Sequence, residues 1–170
     1  KLRHTEYYDF QEIQDKLYAD SLKGQEFQHL VEIISLPENI RLAYRNIKAN
    51  RGSRTAGTDG RTIRDLEKLS DEKLIALVQR KLDWYEPQSV RRVEIPKGND
   101  PTKKRPLGIP TILDRLIQQC VLQVLEPICE AKFHDHSYGF RPNRSQEHVV
   151  AAVYKNIQLS HYYFVVDVDI

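Results

Sequence analysis

The sequence contains no methionine, only two cysteines and no apolar run of about 18 residues. Cys120 and Cys129 lie in an apolar helical stretch without the paired spacing of a zinc site, so we expect reduced core residues, with a disulfide as the minor alternative. The absence of a long apolar run, and of a charged start followed by an apolar stretch, predicts a cytoplasmic protein with neither membrane span nor leader. Because methionine is missing, we expect the natural start codon to lie outside this sequence.

Charge is unevenly distributed along the chain. The net charge is only +2, and a composition of 40% hydrophobic and 29% charged residues is typical of one soluble domain with its own core. Between residues 41 and 64, however, a single acid, Asp59, stands against seven basic residues: Arg41, Arg45, Lys48, Arg51, Arg54, Arg61 and Arg64. A basic patch of this density indicates a nucleic-acid partner, because phosphate contacts release condensed counterions. A solvated basic face without a ligand is the alternative.

Helical spacing separates two rows of side chains within residues 36–50. Ile40, Tyr44 and Ile47 recur at helical intervals and predict a packing face. A parallel row, turned by about 100° from the first, is basic and consists of Arg41, Arg45 and Lys48. The following stretch, residues 51–60, has three glycines and no apolar periodicity, which predicts a loop whose backbone can approach a partner closely.

A helix and a β-hairpin are predicted next. Ser70 is the expected N-cap of the helix, and Trp84 and Tyr85 at its end are more typical of core or lid than of base stacking. The hairpin is predicted from three features: apolar and charged residues alternate over 92–95, turn residues follow over 97–103, and a short return strand spans 105–109. Its cations lie near the tip, where they can neutralise a triphosphate, unless they only keep an exposed hairpin soluble; they are Lys97, Lys103, Lys104 and Arg105.

A long apolar helix follows the hairpin. Thr111 and Asp114 form a capping box at its start, and we expect the helix to end at Pro127. Farther along, Asn143 or Ser145 is the expected cap of another helix.

The block of residues 137–145 predicts a shaped turn before that helix. Arg141 and Arg144 flank the helix start, which is typical of a phosphate site. Tyr138 and Phe140 bracket a glycine, so they either support a base or secure the turn as core aromatics.

The last segment, residues 161–170, is an apolar stretch that predicts a strand. Asp167 and Asp169 are two residues apart, so their carboxylates point to the same face of that strand. Negative charge on a buried strand is normally tolerated when a cation is the partner, which predicts a metal site here. A strand that exits into solvent with acids at its tip is the alternative.

Four stretches in the same order resemble the reverse transcriptase domain of group II intron-encoded proteins, the intron maturases. They are residues 51–60, residues 95–110, the block 137–145 and the strand that ends in Asp-Val-Asp-Ile. The resemblance implies an α+β fold, with mostly helical fingers and a β-hairpin that lead into the first strand of a right-hand polymerase palm. The implied divisions are an N-terminal helical segment of unclear role (1–35), a basic N-terminal extension (36–65), fingers (66–160) and a truncated first palm strand (161–170).

The resemblance also implies an activity and its partners. The expected parent protein is an RNA-directed DNA polymerase that copies RNA into DNA by two-metal nucleotidyl transfer with Mg²⁺ and assists intron splicing and mobility. Its expected partners are intron RNA, template RNA, a DNA primer and a deoxynucleoside triphosphate, with a homodimer left open. The family's second catalytic acid pair is absent from this sequence, so we expect the chain alone to be inactive.

Site roles carried over from the family are expectations for particular residues. Asp169 is the expected catalytic metal ligand, and Asp167 is an outer carboxylate that orients it. Lys97 and Arg105 are expected to contact the incoming nucleotide. Arg115, Gln118 and Gln119 are weaker RNA candidates beside the template. The expected RNA-binding residues are Arg41, Arg45, Lys48, Arg51, Arg54, Thr55, Arg141, Arg144 and Tyr138. A reverse transcriptase of the retron or diversity-generating type, and a non-catalytic RNA-binding module of the same shape, are the alternatives.

Overall fold

The computed structural model describes residues 4–98 and 100–168. Helices and one antiparallel strand pair alternate as α1 (His4–Tyr7), α2 (Gln11–Leu22), α3 (Leu30–Ile34), α4 (Pro37–Ala49), a 3₁₀ turn (Arg51–Arg54), α5 (Ile63–Leu66), α6 (Asp71–Asp83), β1 (Arg91–Lys97), β2 (Asp100–Ile109), α7 (Ile112–Glu130) and α8 (Gln146–Gln158). The predicted α+β class is confirmed. Within the part of the chain that the structure describes, none of the helices is both long and apolar enough to span a membrane.

The helix α7 is the centre of the fold and packs against α2, α3, α4 and α6. Its apolar positions recur every three or four residues, so one face is continuously covered. The side chains of Ile112, Leu116 and Val124 are completely buried. The predicted cap is confirmed, because Thr111 Oγ1 accepts a hydrogen bond from the amide of Asp114 at 3.2 Å.

A buried amide pair joins α7 to α4. Gln123 Nε2 donates to Asn39 Oδ1 at 2.6 Å and to Asn39 O at 3.1 Å. Asn39 Nδ2 in turn donates to the carbonyls of Ile34 (2.9 Å) and Cys120 (3.0 Å), and Asn46 Nδ2 donates to Gln123 Oε1 at 2.8 Å. Every polar atom of the pair thus has a partner, which is the condition under which buried amides stabilise a core.

The expectation that α7 ends at Pro127 is wrong, because the helix continues to Glu130. Proline has no amide hydrogen, so the carbonyl of Gln123 loses its normal helical donor. Gln14 Nε2 of α2 donates to that carbonyl at 2.9 Å. One turn farther along, Ser21 Oγ of α2 donates to Ile128 O at 2.8 Å. The interruption in α7 therefore serves as a docking point for the N-terminal segment.

The two cysteines have different environments. Cys120 is buried and Cys129 is exposed, and both are free thiols. The expectation of free thiols therefore holds for both cysteines, whereas the expected core position is right for Cys120 and wrong for Cys129. Burial raises the pKa of the Cys120 thiol to about 12.

The helix α6 begins at the predicted cap. Ser70 Oγ accepts from the amide of Lys73 at 3.4 Å. After α6 the two aromatic residues diverge, since Trp84 is 80% exposed whereas the hydroxyl of Tyr85 donates to the buried carboxylate of Asp114 at 3.1 Å. The core interpretation is therefore wrong for Trp84.

The hairpin is confirmed, but its turn is shorter than predicted. β2 begins at Asp100, and the register runs from Arg91 opposite Ile109 to Pro96 opposite Lys104. A register shift then places Lys97 opposite Asp100. Residues 101–103 form a bulge within β2. Residues that the sequence predicted to be part of the turn therefore belong to the strand.

The last described segment differs from the prediction. Helix α8 begins with the predicted Ser145 cap and has no buried residue. Residues 161–168 have no regular secondary structure, and residues 169–170 lie outside the described part. A strand requires a hydrogen-bonded neighbour, and among the described residues β1 and β2 pair only with each other. The predicted strand is therefore not formed over 161–168.

Substitution of Gln123 by alanine tests the amide pair. We expect Gln123→Ala to lower the free energy of unfolding by about 2–4 kcal/mol, because Asn39 Oδ1 loses its donor inside the core. Urea denaturation followed by circular dichroism measures this. Gln118→Ala, an exposed change on the same helix, should stay within about 0.5 kcal/mol. Equal effects of both changes would contradict the assignment.

Candidate nucleic-acid interface

The basic row of α4 is only partly free. Arg41 Nε lies 2.8 Å from Asp71 Oδ2, and Lys48 Nζ lies 3.1 Å from Glu67 Oε1. These hydrogen bonds raise the pKa of both cations, so both remain charged. Arg45, between them, is exposed. Half-exposed ion pairs of this kind are worth little, so a phosphate can compete for the two paired cations as well.

The predicted loop after α4 begins with an ordered turn. Residues 51–54 form a 3₁₀ turn in which Ser53 is buried while Arg51 and Arg54 point outward and are exposed. Its following backbone lies against the start of α7. A Cβ at Gly57 would lie 2.6 Å from Thr111 Cα, so only glycine fits there. The backbone approach that the glycines predicted is made to the protein's own helix.

Arg115, a weaker RNA candidate, has an internal role. Its Nη1 donates to Gly52 O at 2.7 Å and its Nη2 to Thr55 O at 2.5 Å. The carbonyl of Thr55 is therefore engaged inside the protein, and its side chain is half-buried. Arg115 therefore holds the backbone of the 3₁₀ turn in place through these two carbonyls, and its guanidinium is not free to bind a ligand.

The nucleotide candidates lie on the hairpin. Arg105 is opposite Ile95, whereas its neighbour Lys104 projects to the other face and lies 3.5 Å from Glu94. Lys97 ends β1 beside the turn glycine Gly98, whose φ is +62°. Arg105 and Lys97 are both exposed. The structure thus places both cations on the same β-hairpin, with Lys97 beside the turn and Arg105 farther along β2.

Arg141 is directed inward. Its guanidinium donates to both carboxylate oxygens of Glu130, with distances of 2.6 to 3.1 Å, and to the carbonyls of His134 and Ser137 at 2.9 and 2.8 Å. The side chain is 6% exposed. It also lies over the ring of Phe133, 5.1 Å from the centroid. A guanidinium with this many internal acceptors secures the turn after α7 and has little left for phosphate.

The neighbouring residues remain outward. The Arg144 guanidinium lies 5.7 Å from the centroid of the Tyr138 ring, a cation–π contact at the surface. Phe140 is fully exposed and has a φ of +55°, so the interpretation as a core aromatic is wrong for it. The carboxylate of Asp167 is exposed, and Asp169 lies outside the described residues. Among residues 4–98 and 100–168, no three His, Cys, Asp or Glu side chains converge to hold a metal ion.

Comparison with known proteins shows which family this chain resembles. The family model described as reverse transcriptase (RNA-dependent DNA polymerase) matches residues 95–170. The chain is 42% identical over 120 residues to the group II intron-encoded protein LtrA of Lactococcus lactis subsp. cremoris. It is 39% identical over 152 residues to Protein YkfC of Escherichia coli K12, and 29% identical over 159 residues to the putative COX1/OXI3 intron 1 protein of Saccharomyces cerevisiae. Residues 95–170 thus belong to the reverse transcriptase family, and the chain is similar to group II intron-encoded proteins.

The matches cover most of this chain but a small part of each relative. They take in 70% of the chain and 19% of LtrA, 84% of the chain and 38% of YkfC, and 90% of the chain and 18% of the yeast protein. The reverse transcriptase match begins in β1 of the hairpin and includes α7, α8 and the terminal acidic stretch. The basic row and the 3₁₀ turn lie before it.

Sequence reasoning missed several contacts that shape the surface described above. Glu130 gives no local signal for its pairing with Arg141, because the contact crosses a turn of 11 residues. Arg91 binds Ala56 O at 3.0 Å, and Thr58 Oγ1 binds Ser89 O at 2.9 Å. Contacts between the start of the hairpin and the loop before it could not be predicted, because they follow no periodic pattern in the sequence.

Acidification tests the Glu130–Arg141 pair. The hydrogen bond from Arg141 lowers the pKa of Glu130 below its ordinary 4.5, so the pair stabilises the fold above that pH and the contribution is lost as pH falls through the lowered value. Glu130→Gln should lower the melting temperature by about 3 °C at pH 7. That difference should shrink below pH 4.5. Glu126→Gln, an exposed change one turn earlier, is the control, and a pH-independent effect of Glu130→Gln would contradict the pairing.

Proposed function

We propose that this chain is the fingers and the start of the palm of an RNA-directed DNA polymerase and intron maturase, and that it binds intron and template RNA. The observation that carries the proposal is the exposed basic surface of Arg45, Arg51 and Arg54, in a chain similar to group II intron-encoded proteins. In this proposal residues 36–65 form the basic extension, residues 66–160 the fingers and residues 161–170 the first palm strand. Within the segment 1–35, helices α2 and α3 pack against α7.

The electrostatics of the surface support RNA as the ligand. Arg51 and Arg54 are exposed on one short turn, and Arg45 is exposed on the helix immediately before it. Arg41 and Lys48 add charge that exposed acids hold only weakly. A cluster of this kind binds phosphates chiefly by releasing counterions, which makes the affinity depend on salt. Arg144 with Tyr138 forms a second, smaller basic and aromatic surface suited to single-stranded RNA.

The hairpin supports a nucleotide role in the longer protein. Arg105 is exposed on the face that carries the half-buried Ile95, and Lys97 is at the turn. Cations on such an element can contact a triphosphate by charge-assisted hydrogen bonds. Asp169 remains the proposed Mg²⁺ ligand of the longer protein, with Asp167 as the carboxylate that orients it. The described residues do not by themselves form a metal site.

RNA binding tests the basic surface. Replacing Arg45, Arg51 and Arg54 together by alanine should weaken binding of a labelled RNA hairpin with a single-stranded extension. The slope of log affinity against log salt should fall by about one unit per lost phosphate contact. Fluorescence anisotropy across a series of KCl concentrations measures both quantities.

The control removes the same charge elsewhere. Lys16, Lys23 and Lys73 are exposed on α2, after α2 and on α6. Their triple alanine variant should keep most of the affinity and slope. Equal losses in the two triple variants would mean that net charge, and not this surface, governs binding.

Nucleotide use tests Arg105 in the longer protein. Arg105→Ala should raise the nucleotide KM or lower kcat by a combined factor of roughly ten to a hundred, as expected for one charge-assisted hydrogen bond. Steady-state primer extension measures this. Lys104→Ala is the matched control, because Lys104 lies on the opposite face and pairs with Glu94. Unaltered kinetics for Arg105→Ala would exclude the role.

Substitution of the terminal acids tests the metal role. In the longer protein, Asp169→Asn should abolish DNA synthesis while RNA affinity and melting temperature stay nearly constant, because a metal-bridging carboxylate acts only in the chemistry. Asp167→Asn should have a smaller effect. Primer extension and RNA binding on the same preparations provide the measurement. Substantial synthesis by Asp169→Asn would refute the assignment.

A further inference from the structure

Three backbone carbonyls of the basic loop, residues 51–60, accept hydrogen bonds from arginine side chains elsewhere in the chain. Arg115 of α7 donates to Gly52 O at 2.7 Å and to Thr55 O at 2.5 Å, at the two ends of the basic turn. Arg91, the first residue of β1, donates to Ala56 O at 3.0 Å. Two guanidinium groups are therefore committed to neutral backbone carbonyls inside the most basic region of the protein.

The same loop is tied to the foot of the hairpin. Thr58 Oγ1 donates to Ser89 O at 2.9 Å, two residues before β1 begins. Gly57 lies against Thr111 at the start of α7, with no room for a side chain. The loop thus touches α7 on one side and the hairpin on the other, and each contact is made by its backbone or by Thr58. The side chains of Arg51 and Arg54 are left exposed.

Burial of the Arg115 guanidinium is energetically unfavourable. Arg115 Nε is buried and has no hydrogen-bond partner among the described residues, and burial lowers the pKa of the guanidinium. Leaving a buried donor unpaired costs free energy. The two hydrogen bonds to backbone carbonyls keep the guanidinium of Arg115 in this position, and they hold the 3₁₀ turn in return.

We propose that Arg115 and Arg91 are positioning residues for RNA binding, which hold the backbone of residues 52–56 so that Arg51 and Arg54 meet the RNA from a fixed place beside the hairpin. This inference rests on the proposed RNA-binding function. Arg115 and Arg91 act through the turn and do not themselves contact phosphate.

The experiment separates positioning from direct contact. Binding of the labelled RNA hairpin is measured over a series of KCl concentrations for the variants Arg115→Met, Arg91→Met and Thr58→Val. Each is made in the natural sequence and in an Arg51→Ala, Arg54→Ala background. Arg92→Met is the control for lost charge, because Arg92 is exposed on the other face of the same strand. Thr58→Val changes no charge.

Positioning predicts a specific pattern. Arg115→Met should weaken binding about tenfold, and Arg91→Met and Thr58→Val a few-fold, with an unchanged salt slope, because the same phosphates are still contacted. In the background without Arg51 and Arg54 these effects should nearly vanish, which is energetic coupling between the sites. Arg92→Met should show no such coupling.

Other outcomes are equally clear. A salt slope lowered by about one unit in Arg115→Met or Arg91→Met, or undiminished effects in the double-alanine background, would overturn the positioning role. If Arg115→Met does not fold by circular dichroism, the exposed Arg91 and Thr58 variants decide the matter alone. If the Arg51→Ala, Arg54→Ala protein binds RNA as well as the natural sequence, the proposed RNA surface itself fails, which is a different result.

Discussion

The hydrogen bonds between Gln123 and Asn39 govern how the helices assemble. Both amides are buried, so each polar atom must find a partner in one relative placement of α4 and α7. Asn39 Nδ2 also donates to the carbonyl of Ile34 at the end of α3, and Asn46 Nδ2 donates to the side-chain oxygen of Gln123. A purely apolar contact would let α4 and α7 slide along each other, whereas this hydrogen-bonded pair fixes the position of one helix relative to the other. The direction of the basic row on α4 follows from that register.

The two ends of α7 organise the functional surfaces. At the start, Asp114 accepts hydrogen bonds from the Tyr85 hydroxyl, the Gln88 amide and Thr111 Oγ1, which fixes the approach to the hairpin. At the end, Glu130 holds Arg141 and thereby the turn before α8. Burial, and then the bond to Asp114, raise the pKa of Tyr85 to about 12, so its hydroxyl remains a donor across the physiological range. One central helix therefore positions both the hairpin and the surface around Arg144.

The sequence predicted what local rules determine. Periodicity predicted the buried face of α7, and the caps at Ser70, Thr111 and Ser145 follow from the preference of hydroxyl residues for helix starts. The similarity to reverse transcriptases of group II introns followed from four short blocks. Pro127 misled because a tertiary donor, Gln14, replaces the missing helical hydrogen bond. Local rules cannot see such a donor, since it comes from more than 100 residues away.

The candidate site was predictable in its charge but not in its geometry. Composition identified the exposed cations of the 3₁₀ turn as a group, yet it could not tell Arg51 from Arg115, since the neighbours of an arginine in the sequence do not show which atoms its guanidinium will contact. The difference lies in long-range contacts, which decide whether a guanidinium meets solvent or a carbonyl. Arg141 shows the same limit, because its partner Glu130 is close only after α7 and the turn have formed.

The apolar surface of α8 has a practical consequence. Val150 and Tyr154 of α8 and Phe164 and Val165 beyond it are between 66% and 94% exposed. Exposed patches of this kind promote association between molecules, and an unpaired apolar segment adds backbone groups that another chain can bind. Self-association through these exposed apolar side chains is therefore expected to increase as the concentration of the polypeptide rises.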